Sequence, residues 1–219
     1  MQFVKPAGTT EGEDSMQIWD KYGQWDEISR LKESNAVKAK ITGNKRAWRP
    51  NFVPPALAYA FDYAAQEHVS TNPHTPAAVL DFGCGLGRNA PMLRNFFPRV
   101  VGFDLPEMLE RLRSETPSLY WRLYDQTYDS IETAFKSDAY CLLYDSVVFQ
   151  HIIDRDYLST MFDAISANSS LRTIVSIYNA GHRYPHLDAL ASRQWRIWHT
   201  ENETMSFEGA AHSVTIFHR

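Results

Sequence analysis

Asp81-Phe82-Gly83-Cys84-Gly85-Leu86-Gly87 sets a carboxylate and three alternating glycines between a short apolar run and a segment with helical spacing. Glycine lets the backbone turn sharply and come close to a ligand. A helix opening just after such a turn aims unpaired N–H groups at whatever lies there. A dinucleotide fingerprint would want its third glycine where this chain has Arg88. The Asp81 carboxylate would repel a pyrophosphate, whereas it suits a cationic ammonium or sulfonium group. The plain alternative is a tight turn with no ligand.

Other residue types suited to chemistry lie downstream. Asp104 ends the next apolar run, as a ligand-binding acid or as a helix N-cap before Pro106. His151 is either a general base or hydrogen-bond partner for a substrate, or a packed core histidine. His182, Arg183, Tyr184 and His186 either bind an acidic or phenolic substrate or form a solvated loop. No metal is expected from His182 and His186. Pro185 argues against a helix that would align them, and no partner cysteine or carboxylate is evident nearby.

The elements that must hold these residues alternate. Pro54 and Pro55 open a helix over 56–68, proline being tolerated in a first helical turn. Strands are expected at 78–81, 100–104, 119–123, 139–144 and 173–178, and helices at 91–97, 106–113 and 154–167. The end of the chain reads as two strands, 205–207 and 213–217, around Gly209. Strands alternating with helices imply a mainly parallel sheet covered on both faces, with ligands beyond the carboxyl ends of its strands. Residues 1–50 read as a tail and helical lid, and 51–219 as the main α/β domain.

Bulk properties narrow the class. The chain has 219 residues, 44% hydrophobic and 22% charged, which excludes a disordered or fibrous chain. A net charge of -4 gives no global attraction to nucleic acid or to an anionic membrane. No apolar run spans a bilayer and no secretory signal opens the chain, so a cytoplasmic setting is expected. Cys84 and Cys141 read as reduced packing residues. The basic run from Lys32 to Arg49 is either a phosphate-binding surface or a solvated face.

Residues 79–89, with Asp81, Gly83, Gly85 and Gly87, resemble motif I of the class I S-adenosylmethionine-dependent methyltransferases. Residues 100–105 resemble the element after it, and 144–152 the fourth-strand motif of small-molecule methyltransferases, where a Gln-His-Ile run is common. The resemblance covers about 77–178. It implies a Rossmann-like, seven-stranded, mostly parallel sheet with helices on both faces, a C-terminal antiparallel strand and an N-terminal helical cap. It implies S-adenosyl-L-methionine as cofactor and S-adenosylhomocysteine as product. Asp81, Phe82, Gly83, Cys84, Gly85 and Gly87 would hold the methionine end, and Asp104 with Leu105 the ribose. Asp125, Gln126 and Tyr144 would approach the adenine and cofactor. Asp145 and His151 are the catalytic candidates. Trp19 and Trp25 lie where related enzymes place a lid, with core packing as the alternative. The acid that usually begins the fourth strand aligns with Cys141, so Asp138 or Asp145 would replace it. Cys84 and Cys141 would lie near each other if the first and fourth strands are neighbours.

The expected activity is methyl transfer to an oxygen, nitrogen or carbon of a small molecule. A nucleic-acid or protein methyltransferase is the first alternative. Residues 145–148 lack the Asn/Asp-Pro-Pro-aromatic run of base-methylating enzymes. A non-catalytic partner subunit of the same fold is the second alternative.

Overall fold

Neighbouring residues of the first strand serve different halves of the core. Val79 packs in the cluster that takes Leu57, Ala60, Phe61 and Ala64 from the first helix. Leu80, its neighbour, packs with Leu158, Met161, Phe162 and Ile165 from a helix on the other face. Successive strand side chains point to opposite faces, so a strand apolar at both positions must be covered twice. The computed structural model describes residues 55–87, 89–115, 123–137, 139–152, 154–180, 184–207 and 210–219, and no side chain over 202–211.

The elements run α1 (Pro55–Thr71), β1 (Ala78–Phe82), α2 (Ala90–Leu93), β2 (Arg99–Phe103), α3 (Pro106–Glu115), β3 (Gln126–Tyr128), α4 (Ile131–Ser137) and β4 (Leu142–Ser146). A 3-10 turn (Phe149–His151) comes next, then α5 (Arg155–Ala167), β5 (Thr173–Asn179), α6 (Pro185–Ala191), β6 (Arg196–Phe207) and β7 (Ala210–His218). The sheet has seven strands in the order β3-β2-β1-β4-β5-β7-β6. β1 to β5 pair in parallel, and β7 runs antiparallel to both β5 and β6. Strand order reverses between β1 and β4, the place where open α/β sheets leave a crevice at their carboxyl ends. The expected Rossmann-like architecture with its antiparallel C-terminal strand is what the chain adopts.

Local chemistry sets the element boundaries. Asp154 caps α5, its Oδ1 accepting from the N–H groups of Asp156 and Tyr157 at 3.0 Å each. α1 stops before Asn72-Pro73, and the turn after it is pinned by His68 Nε2 against the Thr75 carbonyl at 3.1 Å. The C-terminal Arg219 lies over the Trp195 ring, 4.6 Å from its centroid, and donates to the carbonyls of Ser166, Asn168 and Leu171 near the end of α5. Those carbonyls include groups that a helix end leaves without an internal partner.

Several sequence expectations shift. The third strand lies at Gln126–Tyr128, after the segment 119–123 expected to form it; residues 119–122 of that segment lie outside the described residues. The fourth strand starts at Leu142, because Tyr140 instead buries its ring against Phe135 and donates to the Ala134 carbonyl at 3.1 Å. Pro185 does not prevent a helix but opens α6, at a position whose missing N–H costs no helical bond. β6 begins at Arg196, nine residues before the expected start, in a stretch with exposed Ile197 and Trp198 and no inside–outside alternation. The N-terminal cap lies outside the described residues. No described helix is long and apolar enough to cross a membrane.

Candidate active site

The crevice is assembled from the loops after β1, β2 and β4. Gly83, Gly85 and Gly87 have φ of 70°, 51° and 86°, in the left-handed region where a Cβ is strained. The turn hangs on the end of β2: Gly83 N–H and Cys84 N–H both donate to the Phe103 carbonyl, at 2.8 and 3.0 Å. Asp104 clamps it from the side. Its Oδ2 accepts from Gly85 N–H at 2.6 Å and its Oδ1 from Leu105 N–H at 2.8 Å. The carboxylate at the end of β2 is thereby fixed against the glycine loop. Gly102 is required beneath, since a Cβ there would stand 2.9 Å from Cys84 Sγ.

Asp81 is fully buried under this turn. Its Oδ2 accepts from the Tyr124 hydroxyl at 2.7 Å, and its Oδ1 from Asn89 Nδ2 at 3.5 Å. Burial, and then the charge of Asp81, raises the Tyr124 hydroxyl well above its ordinary pKa, so it stays a donor. Burial also raises Cys84 well above the thiol range, with Asp104 and Asp81 adding to it, which makes Cys84 a packing residue and no nucleophile. Phe82 stacks on Phe103 at 4.7 Å between ring centroids, within the core. Cys84 and Cys141 are free and buried, but lie toward opposite ends of the β1–β4 pair.

β4 delivers the second wall. Val147, directly after it, holds φ 70°, a strained conformation for a β-branched residue. Its N–H donates to the Ile177 carbonyl at 2.8 Å, so β5 holds the kink. Asp145 fixes the turn beyond the kink: its Oδ1 accepts from Val148 N–H at 2.9 Å and Phe149 N–H at 3.0 Å, and its Oδ2 from the Ser176 hydroxyl at 2.7 Å. Burial nevertheless raises its carboxyl to about 7. With both oxygens engaged and no exposure, Asp145 braces this turn. Ser176 also lies 3.3 Å from His186 Nε2, and burial lowers that imidazole to about 3. His186 is sealed among Phe149, Tyr178 and Tyr184, with no partner for its Nδ1 among the described residues.

His151 lies in the 3-10 turn after β4, largely buried. Gln150 sits beside it, with Nε2 3.1 Å from His151 Nε2 and Oε1 accepting from Asn179 N–H at 2.7 Å.

The structure thus brings together Asp81, Phe82, Gly83, Cys84, Gly85, Gly87, Asp104, Leu105, Asp145 and His151. It places three expected cofactor residues elsewhere. Asp125 and Gln126 stand at the amino end of β3, away from the crevice. There Asp125 Oδ2 accepts from Val100 N–H at 2.8 Å and pairs with Arg94 at 2.9 Å. Tyr144 is core, with its ring against Phe61. The acid beyond the carboxyl end of β3 is Asp129, next to Tyr128, whose carbonyl accepts from Asp104 N–H at 3.2 Å. The signal that points to Asp129 was the Asp-Ser pair before a short helix: Ser130 Oγ accepts from Thr133 N–H at 3.3 Å. Trp19, Trp25, Asp138, His182 and Arg183 lie outside the described residues.

This arrangement suits a sulfonium cofactor with a ribose. A side chain on Gly83 would collide with Val148, so the turn can only be built without one, and Asp104 presents a carboxylate beside it. A family model described as "Methyltransferase domain" matches residues 47–214, and the chain belongs to that family of S-adenosylmethionine-dependent methyltransferases. Among solved structures, the chain is similar to the magnesium protoporphyrin IX methyltransferase ChlM from Synechocystis PCC 6803 with bound S-adenosylmethionine. The two share 14% identity over 96% of this chain and 100% of that one, with a TM-score of 0.57. It is also similar to the N-methyltransferase NodS from Bradyrhizobium japonicum WM9 in complex with S-adenosylhomocysteine, at 14% identity over 84% and 97%, TM-score 0.53. A search of curated protein sequences finds no match.

Proposed function

We propose that this methyltransferase acts on a small-molecule acceptor, held between the wall after β4 and the segment after β5. The observation that carries the cofactor half of the site is the clamp of Asp104 on Gly85 N–H at 2.6 Å. It sets a carboxylate and a glycine turn side by side at the switch point. In this reading Asp104 accepts hydrogen bonds from the ribose hydroxyls. The Gly83–Gly87 turn and buried Asp81 take the methionine end. Asp129, rather than Asp125, faces the adenine. When bound, S-adenosylmethionine supplies an electrophilic methyl group on a sulfonium.

The chain's own share is positioning. Asp145, Ser176 and the strained Val147 hold the post-β4 turn rigid, so an acceptor resting on it keeps one orientation toward the crevice. Orientation alone supplies a large part of the rate when the acceptor is already nucleophilic. Three points support a small acceptor: the net charge of -4, the absence of prolines over 145–148, and the porphyrin acceptor named for ChlM. Residues 51–219 are proposed as the catalytic domain.

The test is calorimetric titration with S-adenosylmethionine and S-adenosylhomocysteine, followed by a methyl-transfer screen across small phenols, amines and carboxylates. Saturable binding with turnover on a small molecule supports the proposal. Binding with turnover only on RNA, DNA or protein replaces the acceptor class, and binding without any turnover points to a partner subunit.

A further inference from the structure

Gln150 lies between a donor that cannot change and an imidazole that can. Its side-chain amide meets the backbone N–H of Asn179 on one side and the His151 ring on the other. A backbone N–H only donates, so the Gln150 atom 2.7 Å from Asn179 N has to be the carbonyl oxygen. This settles the orientation of the amide, whose O and N are nearly alike in size and are told apart by their hydrogen-bond partners. The atom 3.1 Å from His151 Nε2 is then the NH2 group, which can donate and cannot accept. A ring nitrogen facing a donor must offer its lone pair. His151 Nε2 is therefore unprotonated, and the ring proton of the neutral imidazole sits on Nδ1.

We infer that Gln150 is a positioning residue that locks His151 as a neutral Nδ1–H imidazole. His151 then does not serve as the general base. Nε2 spends its lone pair on Gln150, and Nδ1 has none in the plane of the ring. The inference rests on the methyltransferase reading only for the reaction in which His151 is no base; the hydrogen-bond logic stands without it. The lock is mechanical as well. Gln150 ties the turn after β4 to the end of β5, next to the point where Val147 N–H meets the Ile177 carbonyl. A glutamate at 150 would keep the bond from Asn179 N–H but put an acceptor against Nε2, reversing the demand on the ring.

The experiment is long-range proton–nitrogen correlation NMR near neutral pH on the full chain with isotope-labelled histidine. The His151 signals are assigned by their loss in His151→Gln. Expected for the wild type is a neutral ring protonated at Nδ1 and bare at Nε2. In Gln150→Glu the proton moves onto Nε2. A wild-type ring protonated at Nε2, alone or at both nitrogens, overturns the inference, as does a ring unchanged by Gln150→Glu in a variant whose thermal melt shows it folded. If that variant does not fold, the wild-type spectrum decides by itself. Titration of the same sample with S-adenosylmethionine keeps the two readings apart. Binding with the wrong tautomer overturns only the role of Gln150, whereas the expected tautomer without binding overturns the cofactor assignment and leaves that role intact.

Discussion

A Cβ built on Gly83 would stand 2.2 Å from Val148 Cγ2 and 3.0 Å from Val148 Cβ. The loop after β1 and the turn after β4 therefore touch at the switch point, at a separation that only glycine allows. Gly83→Ala meets two penalties, the clash and a φ of 70° that alanine rarely adopts. The expected cost is about 1–3 kcal/mol of stability, with loss of cofactor affinity because the loop must shift. Val148→Ala in the same chain removes the closest atom and should restore part of the stability, leaving the backbone strain. Thermal melts and calorimetry on the four proteins of this cycle check it. A Gly83→Ala protein with unchanged affinity would show that the turn does not hold the cofactor.

Asp104 and Asp125 are both acids next to the β2–β3 edge of the sheet, at opposite ends of its strands. Asp104→Ala removes a clamp on Gly85 N–H and a proposed ribose acceptor. Charged hydrogen bonds of this kind contribute about 1.5–3 kcal/mol, so cofactor affinity should fall about tenfold to a hundredfold. Asp125→Ala loses the bonds from Val100 N–H and Arg94, and should lower the melting temperature while leaving the affinity alone. Calorimetric dissociation constants for the two variants separate the ends of the sheet.

That contrast shows how far the sequence could be read. The Asp81–Gly87 turn and Asp104 were legible because their chemistry is local: glycines at positive φ, and an acid closing an apolar strand. Asp129 was harder to find, because β3 is three residues long and its Gln126-Thr127-Tyr128 offers no apolar run, which leaves only the Asp-Ser pair before α4 to mark it. Tyr144 and Asp145 show a different limit. Both stand at the end of β4, and only the packed structure tells that one ring meets Phe61 and one carboxylate meets Ser176. Nor does spacing announce a partner such as Gln150 for Asn179, which lies 29 positions on.

Arg219 offers a control remote from the crevice. Its guanidinium donates to the carbonyls of Ser166, Asn168 and Leu171 and lies over the Trp195 ring. Arg219→Ala returns those carbonyls to water or leaves them unmet, and gives up the ring contact. A loss of about 2 kcal/mol is expected, by the scale of hydrogen bonds to charged groups and of cation–π pairs. Urea unfolding measures it, and S-adenosylmethionine affinity measured alongside should stay at the wild-type value. A fall in affinity as large as the fall in stability would mean that the end of α5 and the crevice are coupled.

Asp145 gives a pH dependence of opposite sign to that of most carboxylates. In the folded chain burial raises its carboxyl from 3.8 to about 7, against the three hydrogen bonds that favour the charged form. Between those two values the folded state keeps a proton that the unfolded chain has released. Stability contributed by this group is thus present below about pH 4, falls as the pH rises toward 7, and is level above that. Asp145→Asn keeps an oxygen for Val148 N–H and Phe149 N–H and does not titrate. Its amide would donate to Ser176, turning the Ser176 hydroxyl toward His186 Nε2. The gap in unfolding free energy between the wild type and Asp145→Asn should therefore move against the wild type as pH rises across this window. The slope is at most about 1.4 kcal/mol per pH unit. Urea unfolding at a series of pH values reads it directly. Parallel curves for the two proteins would mean that the Ser176 hydroxyl and the two backbone N–H groups outweigh burial, and that Asp145 stays charged in the fold.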